Sequence, residues 1–331
     1  MMHRLISSTA AVASGAVLVA SLIYMRRLRQ VQMVASGEKT FAVLYWNVLA
    51  APFTFFNKEP PKCVQGHHNP DADVETLTQT RERYSRASAA LLHRLPDAAL
   101  LQECEMAFFE THSNPRASEL LARFELHATN EAGPGTAVLL LKGGRCVPTG
   151  RVKRVGAGEA TGGTSKSATC VEVQVASSSS TSSSSSLWLV SIHATPVKYA
   201  PEAVRTHLAA LHDALRDDVT GAAGRISVPR VLIAGDLNAE PEEVEGLQRT
   251  SLLGGLQRVD AGLGATGLEA DFSSRVTIDH AFLSPGLRLR AAEREKQPTS
   301  PYGVTIDGGA AAAPVVGASD HVWQSLSLEV V

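Results

Sequence analysis

Apolar residues recur along this chain with two periods, and together they predict short buried strands alternating with amphipathic helices. Runs at 41–49 (FAVLYWNVL), 98–102 (AALLQ), 136–141 (TAVLLL), 169–175, 187–193 (LWLVSIH), 231–234 (VLIA) and 276–282 (VTIDHAF) have the length and composition of strands. A last strand is expected over 322–331. Helical spacing puts Tyr84, Ala87, Leu91 and Leu95 on one face of 81–95, which stops before Pro96. Residues 106–124 read as a further helical stretch, and 240–257 as a short helix. In 202–215, Val204, Leu208, Leu211 and Leu215 share a face, leaving Arg205, His207 and His212 to the solvated side. Residues 50–80, rich in Pro, Asn, Asp and His, read as a long loop that carries His67 and His68. Residues 262–267 and 298–314 read as further loops, and 177–186, nine serines and one threonine, as the disordered tip of a hairpin.

The polar residues that interrupt this pattern fall at strand ends. Asn47 closes the first strand and Glu103 follows the second. His193 closes LWLVSIH, while Asp236 and Asn238 follow VLIA across Gly235. Asp279 lies within VTIDHAF, where a charge in an apolar setting needs a partner or a function. Asp320 and His321 precede the last strand. In extended backbone Asp236 and Asn238 would share a face. The alternative is an Asp-Asn turn whose side chains cap their own backbone. Open α/β sheets bind ligands at strand carboxyl ends, so one site could collect all of these side chains. Their inventory fits metal-assisted attack of water on a phosphoester. Carboxylates hold a hard cation, a carboxylate-oriented imidazole moves a proton, and an amide donates to a phosphoryl oxygen. No Walker-type glycine loop and no G-x-S-x-G elbow is present, so NTPase and serine-hydrolase chemistry lack support.

Composition narrows the setting. At 331 residues and 44% hydrophobic the chain can bury one large core or two moderate ones, and a net charge of −2 marks no global nucleic-acid binder. Four cysteines without CxxC pairing read as reduced thiols. Residues 5–24 carry no charge over a length that just spans a bilayer core, with Arg26, Arg27 and Arg29 directly after. That flank predicts an N-terminal membrane anchor (1–35) with the following domain (36–331) facing the cytosol, on the endoplasmic reticulum or the mitochondrial outer membrane. A cleaved secretory signal is the main competitor.

Six blocks then resemble, in order, the motifs of the endonuclease/exonuclease/phosphatase superfamily: WNVLA (46–50), LLQE (100–103), SIH (191–193), GDLN (235–238), IDHAF (278–282) and SDH (319–321). The resemblance implies a four-layer α/β sandwich, with two mixed β-sheets flanked by helices, and Mg²⁺ (or Mn²⁺)-dependent cleavage of phosphoesters. It implies Glu103 as metal ligand, with Asn47 and Asp320 at the metal. Asp236 would activate or orient the attacking water, and Asn238 would position the phosphate. His321, oriented by Asp279, would act at the scissile phosphate, with His193 the second imidazole on the leaving-group or phosphate side. YWNVLA (45–50), the long loop, the 81–95 helix and LLQE resemble the deadenylase branch, which includes nocturnin-like proteins, so RNA or a nucleotide is the expected substrate; a monomer is the expected state. The chain departs from that branch at His280, where its pattern has Tyr, and in a short, aromatic-poor segment between GDLN and IDH. A lipid or inositol phosphatase, or a sphingomyelinase-like phosphodiesterase, is the alternative that an anchor would suit, and a non-catalytic binding module is a third reading.

Overall fold

Alternate side chains of the first strand go to different cores. Phe41, Val43 and Tyr45 enter one cluster of buried residues, and Leu44, Trp46 and Val48 another. A strand that is apolar on both faces must be covered on both, and the same division repeats through the fold. The computed structural model describes residues 40–48, 76–128, 134–156, 166–176, 185–216, 230–250, 252–259, 267–268, 275–294, 321 and 323–331. The 5–24 run, His67, His68, the 298–314 loop and Asp320 lie outside them, as do residues 177–184 of the serine tract. No helix among the described residues is long and apolar enough to cross a membrane.

In chain order the elements are β1 (Thr40–Asn47), α1 (Leu77–Arg94), β2 (Ala98–Cys104), a 3₁₀ turn (Met106–Phe109), α2 (Ala117–Arg123), β3 (Phe124–Ala128) and β4 (Gly135–Leu141). There follow β5 (Cys146–Gly156), β6 (Ser167–Val175), β7 (Ser185–His193), α3 (Pro201–Arg216), β8 (Val231–Asp236), α4 (Pro241–Thr250) and a second 3₁₀ turn (Leu252–Gly255). The chain ends with β9 (Gln257–Arg258), β10 (Gly267–Leu268), β11 (Arg275–Val276), β12 (Asp279–Leu283), β13 (Leu287–Arg294) and β14 (Gln324–Val330).

These strands build two six-stranded sheets, ordered β13-β14-β1-β2-β4-β3 and β5-β6-β7-β8-β12-β9. Each is mixed: β1 pairs parallel with β2 and β7 parallel with β8, and the other pairs are antiparallel. One apolar cluster lies between the sheets, drawing Val43, Leu100 and Val138 from the first and Val171, Leu189 and Leu232 from the second. On the outer face of the first sheet, Leu44 and Leu101 pack with Tyr84 and Leu91 of α1 and Leu120 of α2. Outside the second, Val190 and Ile233 pack with Leu208 and Leu211 of α3 and Val244 and Leu247 of α4. The architecture is the expected four-layer α/β sandwich.

Several boundaries differ from those the pattern predicts. Helix α1 begins at Leu77, inside the expected loop, because Thr76 and Gln79 form a capping box: the Thr76 hydroxyl accepts from the Gln79 amide and the Gln79 side chain accepts from the Thr76 N–H. The expected 106–124 helix is a 3₁₀ turn and one short helix ending where β3 begins. The expected 240–257 helix stops at Thr250 and gives way to the second 3₁₀ turn. β5 and β13, not foreseen, are edge or near-edge strands bearing Arg and Lys, the composition that protects sheet edges and hides an apolar period. Cys104, Cys146 and Cys170 are free and buried, and burial pushes all three thiols up, which disfavours the nucleophilic thiolate.

Candidate active site

The inward row of each central strand changes from apolar to polar as it nears one end of the sandwich. On β1 the row Phe41, Val43, Tyr45 ends in Asn47, and on β2 Ala98, Leu100 continues to Gln102. In the facing sheet, Leu187 and Leu189 lead to Ser191 and His193, Leu232 and Ala234 lead to Asp236, and Leu283 and Ala281 lead back to Asp279. Register does the rest. His193 pairs with Asp236 across the parallel β7–β8 ladder, and Asp236 with Asp279 across the antiparallel β8–β12 ladder, so the three stand in one row. Asn47 is opposite Gln102 in the other sheet.

A polar tie joins the sheets beneath this row. Gln102 Nε2 donates to Ser191 Oγ (2.8 Å), and Ser191 Oγ donates to Leu101 O (2.8 Å). Gly235 makes the close approach possible: at φ +146° a Cβ there would lie 2.2 Å from Ile192 O and 2.8 Å from the Gln102 amide. Glu103 breaks the alternation, since its parity is that of Ala99 and Leu101, which face α1. A positive φ of 50°, at the register shift between Leu101 and Cys104, turns its carboxylate toward the site.

The side chains converge on Asp236, which is buried. Asn47 Nδ2 donates to Asp236 Oδ2 at 3.0 Å and lies 3.4 Å from His321 Nε2. His321 Nδ1 meets Asp279 Oδ2 at 2.8 Å, which fixes its tautomer and aims Nε2 at Asp236 Oδ2, 3.9 Å away. The His321 backbone is held in turn by Trp46 Nε1, which donates to its carbonyl at 2.9 Å. Nε2 of the fully buried His193 is 3.5 Å from Glu103 Oε1 and 3.6 Å from Asp236 Oδ2. Burial pushes the Asp236 carboxyl up to about 7. Asp279 and Glu103 push the same way, against His321 and Lys166.

Asn238 corrects the sequence reading. It does not share a face with Asp236 in extended backbone: β8 ends at Asp236, and Asn238 adopts φ 49°. Asp236 Oδ1 accepts from the Asn238 N–H (2.7 Å), and Asn238 Nδ2 donates to Ala194 O (3.0 Å). The turn alternative thus holds for this pair, and the turn lies inside the site. It ties the loop after β7, since Ala194 N–H donates to Asp236 O and Val197 N–H to Asn238 O. His280, standing where the family pattern has Tyr, holds the next carbonyl: its Nε2 donates to Ala239 O at 2.8 Å.

Two residues escaped the sequence reading. Lys166, just before β6 in a Gly/Ser/Thr-rich stretch, places its ammonium against His193 Nε2. Burial lowers its pKa, while the Asp236 and Glu103 carboxylates raise it. No sequence signal marks it, because a single lysine before a strand is ordinarily solvated. His207, assigned to the solvated side of its helix, is buried beside Val204, Leu208 and Leu211 of α3.

Donor atoms of Glu103, His193 and Asp236 lie within 4.8 Å of one another, as do those of Asp236, Asp279 and His321. Hard carboxylate oxygens with imidazole nitrogen suit a divalent ion such as Mg²⁺ or Mn²⁺. The Asp279 and Glu103 carboxylates, which add to the effect of burial on Asp236, carry the negative charge such an ion would relieve.

Residues 44–321 match the sequence profile of the Endonuclease/Exonuclease/phosphatase family, across all six blocks of this site. The chain belongs to that family. It is therefore a hydrolase of phosphoester bonds. Among solved structures of this family's fold, the human nocturnin catalytic domain with bound sulfate anion superposes with a TM-score of 0.58 at 16% identity, covering 88% of this chain and 94% of that one. ANGEL2, described as a 2′,3′-cyclic phosphatase in complex with adenosine-2′,3′-vanadate, gives a TM-score of 0.59 at 12% identity, covering 89% and 96%. D. rerio TDP2 complexed with single-strand DNA product gives 0.56 at 15%, covering 88% and 100%. No curated protein sequence matches the chain at a significant level.

Proposed function

We propose that the protein is a divalent-metal-dependent phosphodiesterase acting on RNA or a nucleotide. One observation carries this reading. A carboxylate-oriented histidine, His321 on Asp279, and a second histidine, His193, both face Asp236 at the end of the sandwich where Glu103 is turned inward. Glu103, with Asn47 and Asp320, would hold a divalent ion, which when bound would supply Lewis acidity toward the phosphoryl oxygens and the attacking water. Asp236, lifted to about 7 by burial, is poised to take a proton from that water. His321 donates from Nε2 to the scissile phosphate while Asp279 stabilises the charged ring. His193 stands on the leaving-group side, and Asn238 shapes the phosphate subsite through the turn it closes.

A base and its phosphate are favoured as substrate by the loop that leaves His193. Tyr199 is 76% exposed, with the Lys198 ammonium 5.0 Å from its ring centroid, which pairs a stacking face with a cation. The nucleic-acid and nucleotide ligands of TDP2 and ANGEL2 point the same way. A lipid phosphoester is the second reading. It is favoured by the uncharged 5–24 run, which we read as an anchor with the catalytic domain on its cytosolic side.

The test is hydrolysis of a bis-aryl phosphodiester, then of poly(A), dinucleotides and phosphoinositides, with Mg²⁺ or with EDTA. Turnover should vanish with EDTA. It should fall about a hundredfold or more in Glu103→Ala and His321→Ala while circular dichroism stays native. Near-full rate in either variant refutes the site, and preference for phosphoinositides refutes the nucleotide assignment.

A further inference from the structure

Lys166 is the charged residue at this site to which the proposed hydrolysis assigns no role. Its ammonium lies against His193 Nε2 and within reach of the charges on Asp236 and Glu103. Those three residues are the ones whose donor atoms gather as a candidate cation site. The other cluster around Asp236 is committed differently, because His321 Nδ1 and Asp279 Oδ2 already share a hydrogen bond at 2.8 Å. Of the two clusters, one contains the protein's own cation and the other a shared proton.

Two physical constraints decide what that arrangement does. A divalent ion held at Glu103 and the Lys166 ammonium repel each other across the same carboxylates. A partly buried ammonium set among carboxylates is also costly to leave without an anion. When Glu103 is given over to a metal, the ammonium must find another negative partner, and its flexible four-carbon stem lets it move without disturbing β6. The anion that arrives at this place during the reaction is the substrate phosphoryl group.

We propose that Lys166 is the resident cation of the active site. It neutralises the Glu103–His193–Asp236 cluster before a divalent ion binds, and contacts a non-bridging phosphoryl oxygen afterwards. The chain therefore works with one divalent ion, the lysine taking the charge role of a second. The phosphoryl half rests on the phosphodiesterase reading above. The metal half does not.

The full chain is titrated with Mn²⁺ by calorimetry, as wild type, Lys166→Met, Lys166→Gln and Lys166→Arg, and inorganic phosphate is then titrated into each Mn²⁺-loaded protein. Wild type should bind one Mn²⁺. Met and Gln should bind Mn²⁺ about tenfold tighter or take up a second ion, because a repelling charge is gone. They should also bind phosphate about tenfold more weakly. Arg, which keeps the charge, should stay near wild type in both. A purely structural lysine would instead lower Mn²⁺ affinity along with thermal stability. If Met does not fold, Gln carries the test. Unchanged or weaker Mn²⁺ binding in a folded neutral variant overturns the proposal, as does unchanged phosphate binding. If wild type hydrolyses no phosphodiester, the functional reading falls while the Mn²⁺ arm still decides whether Lys166 is the resident cation.

Discussion

Asp236 and His207 are both buried, and burial drives their ionisation in opposite senses. In the fold the Asp236 carboxyl keeps its proton up to about 7, against an ordinary 3.8, so Asp236 lowers stability as pH rises through that window. Burial, with the nearby Lys166 charge adding to it, pushes the His207 imidazole down to about 4 from 6.5. Between those values the unfolded chain binds a proton at this histidine that the folded chain does not. His207 therefore costs stability as pH falls, by up to about 1.4 kcal/mol per pH unit. A His207→Leu variant, apolar and similar in size, should lose that arm. Urea unfolding of both proteins at pH 4.5 and pH 7 should show the variant gaining on wild type at the acid end. Parallel pH profiles would count against a neutral, buried His207. Helical spacing placed His207 with solvated residues because α3 presents a wider buried face than its leucines and valine define. Lys166 was equally invisible, its role coming from what the other strands bring to it.

At the scale of elements, the site is a continuation of the strand pattern. Period-two alternation identifies which residues face the sandwich interior, and on β1, β7, β8 and β12 the inward row reaches Asn47, His193, Asp236 and Asp279 without a break. Those four could be read from the chain. Glu103 and Asn238 could not be oriented this way, because each adopts a positive φ that turns it off the strand's face. Gly235 shows how tightly the elements meet. In Gly235→Ala a methyl group would enter the space of Ile192 O and the Gln102 amide at a φ that L residues rarely adopt. The variant should lose more than about 2 kcal/mol of stability. A urea midpoint within error of wild type would mean that the Gln102–Ser191 tie between the sheets is looser than the 2.8 Å contact indicates.

The whole molecule joins a phosphoesterase domain to an N-terminal run whose length and basic flank favour a bilayer. If residues 5–24 anchor the protein, replacing them with a soluble tag should move it from the membrane pellet to the supernatant after cell fractionation. Continued sedimentation with membranes would argue against the anchor. The sequence alone determined the strands with two apolar faces, because these depend on local period, and it carried the six polar blocks in the order whose resemblance points to the family. It did not determine the edge strands β5 and β13, whose charged residues mask the period. Only the tertiary structure decided which side chains meet. His321 and Asp279 are 42 positions apart, Asn47 and Asp236 are 189 apart, and Lys166 reaches His193 from the position just before the neighbouring strand β6. Burial sets how Asp236 and Lys166 hold their protons, and burial is a property of the packed sandwich.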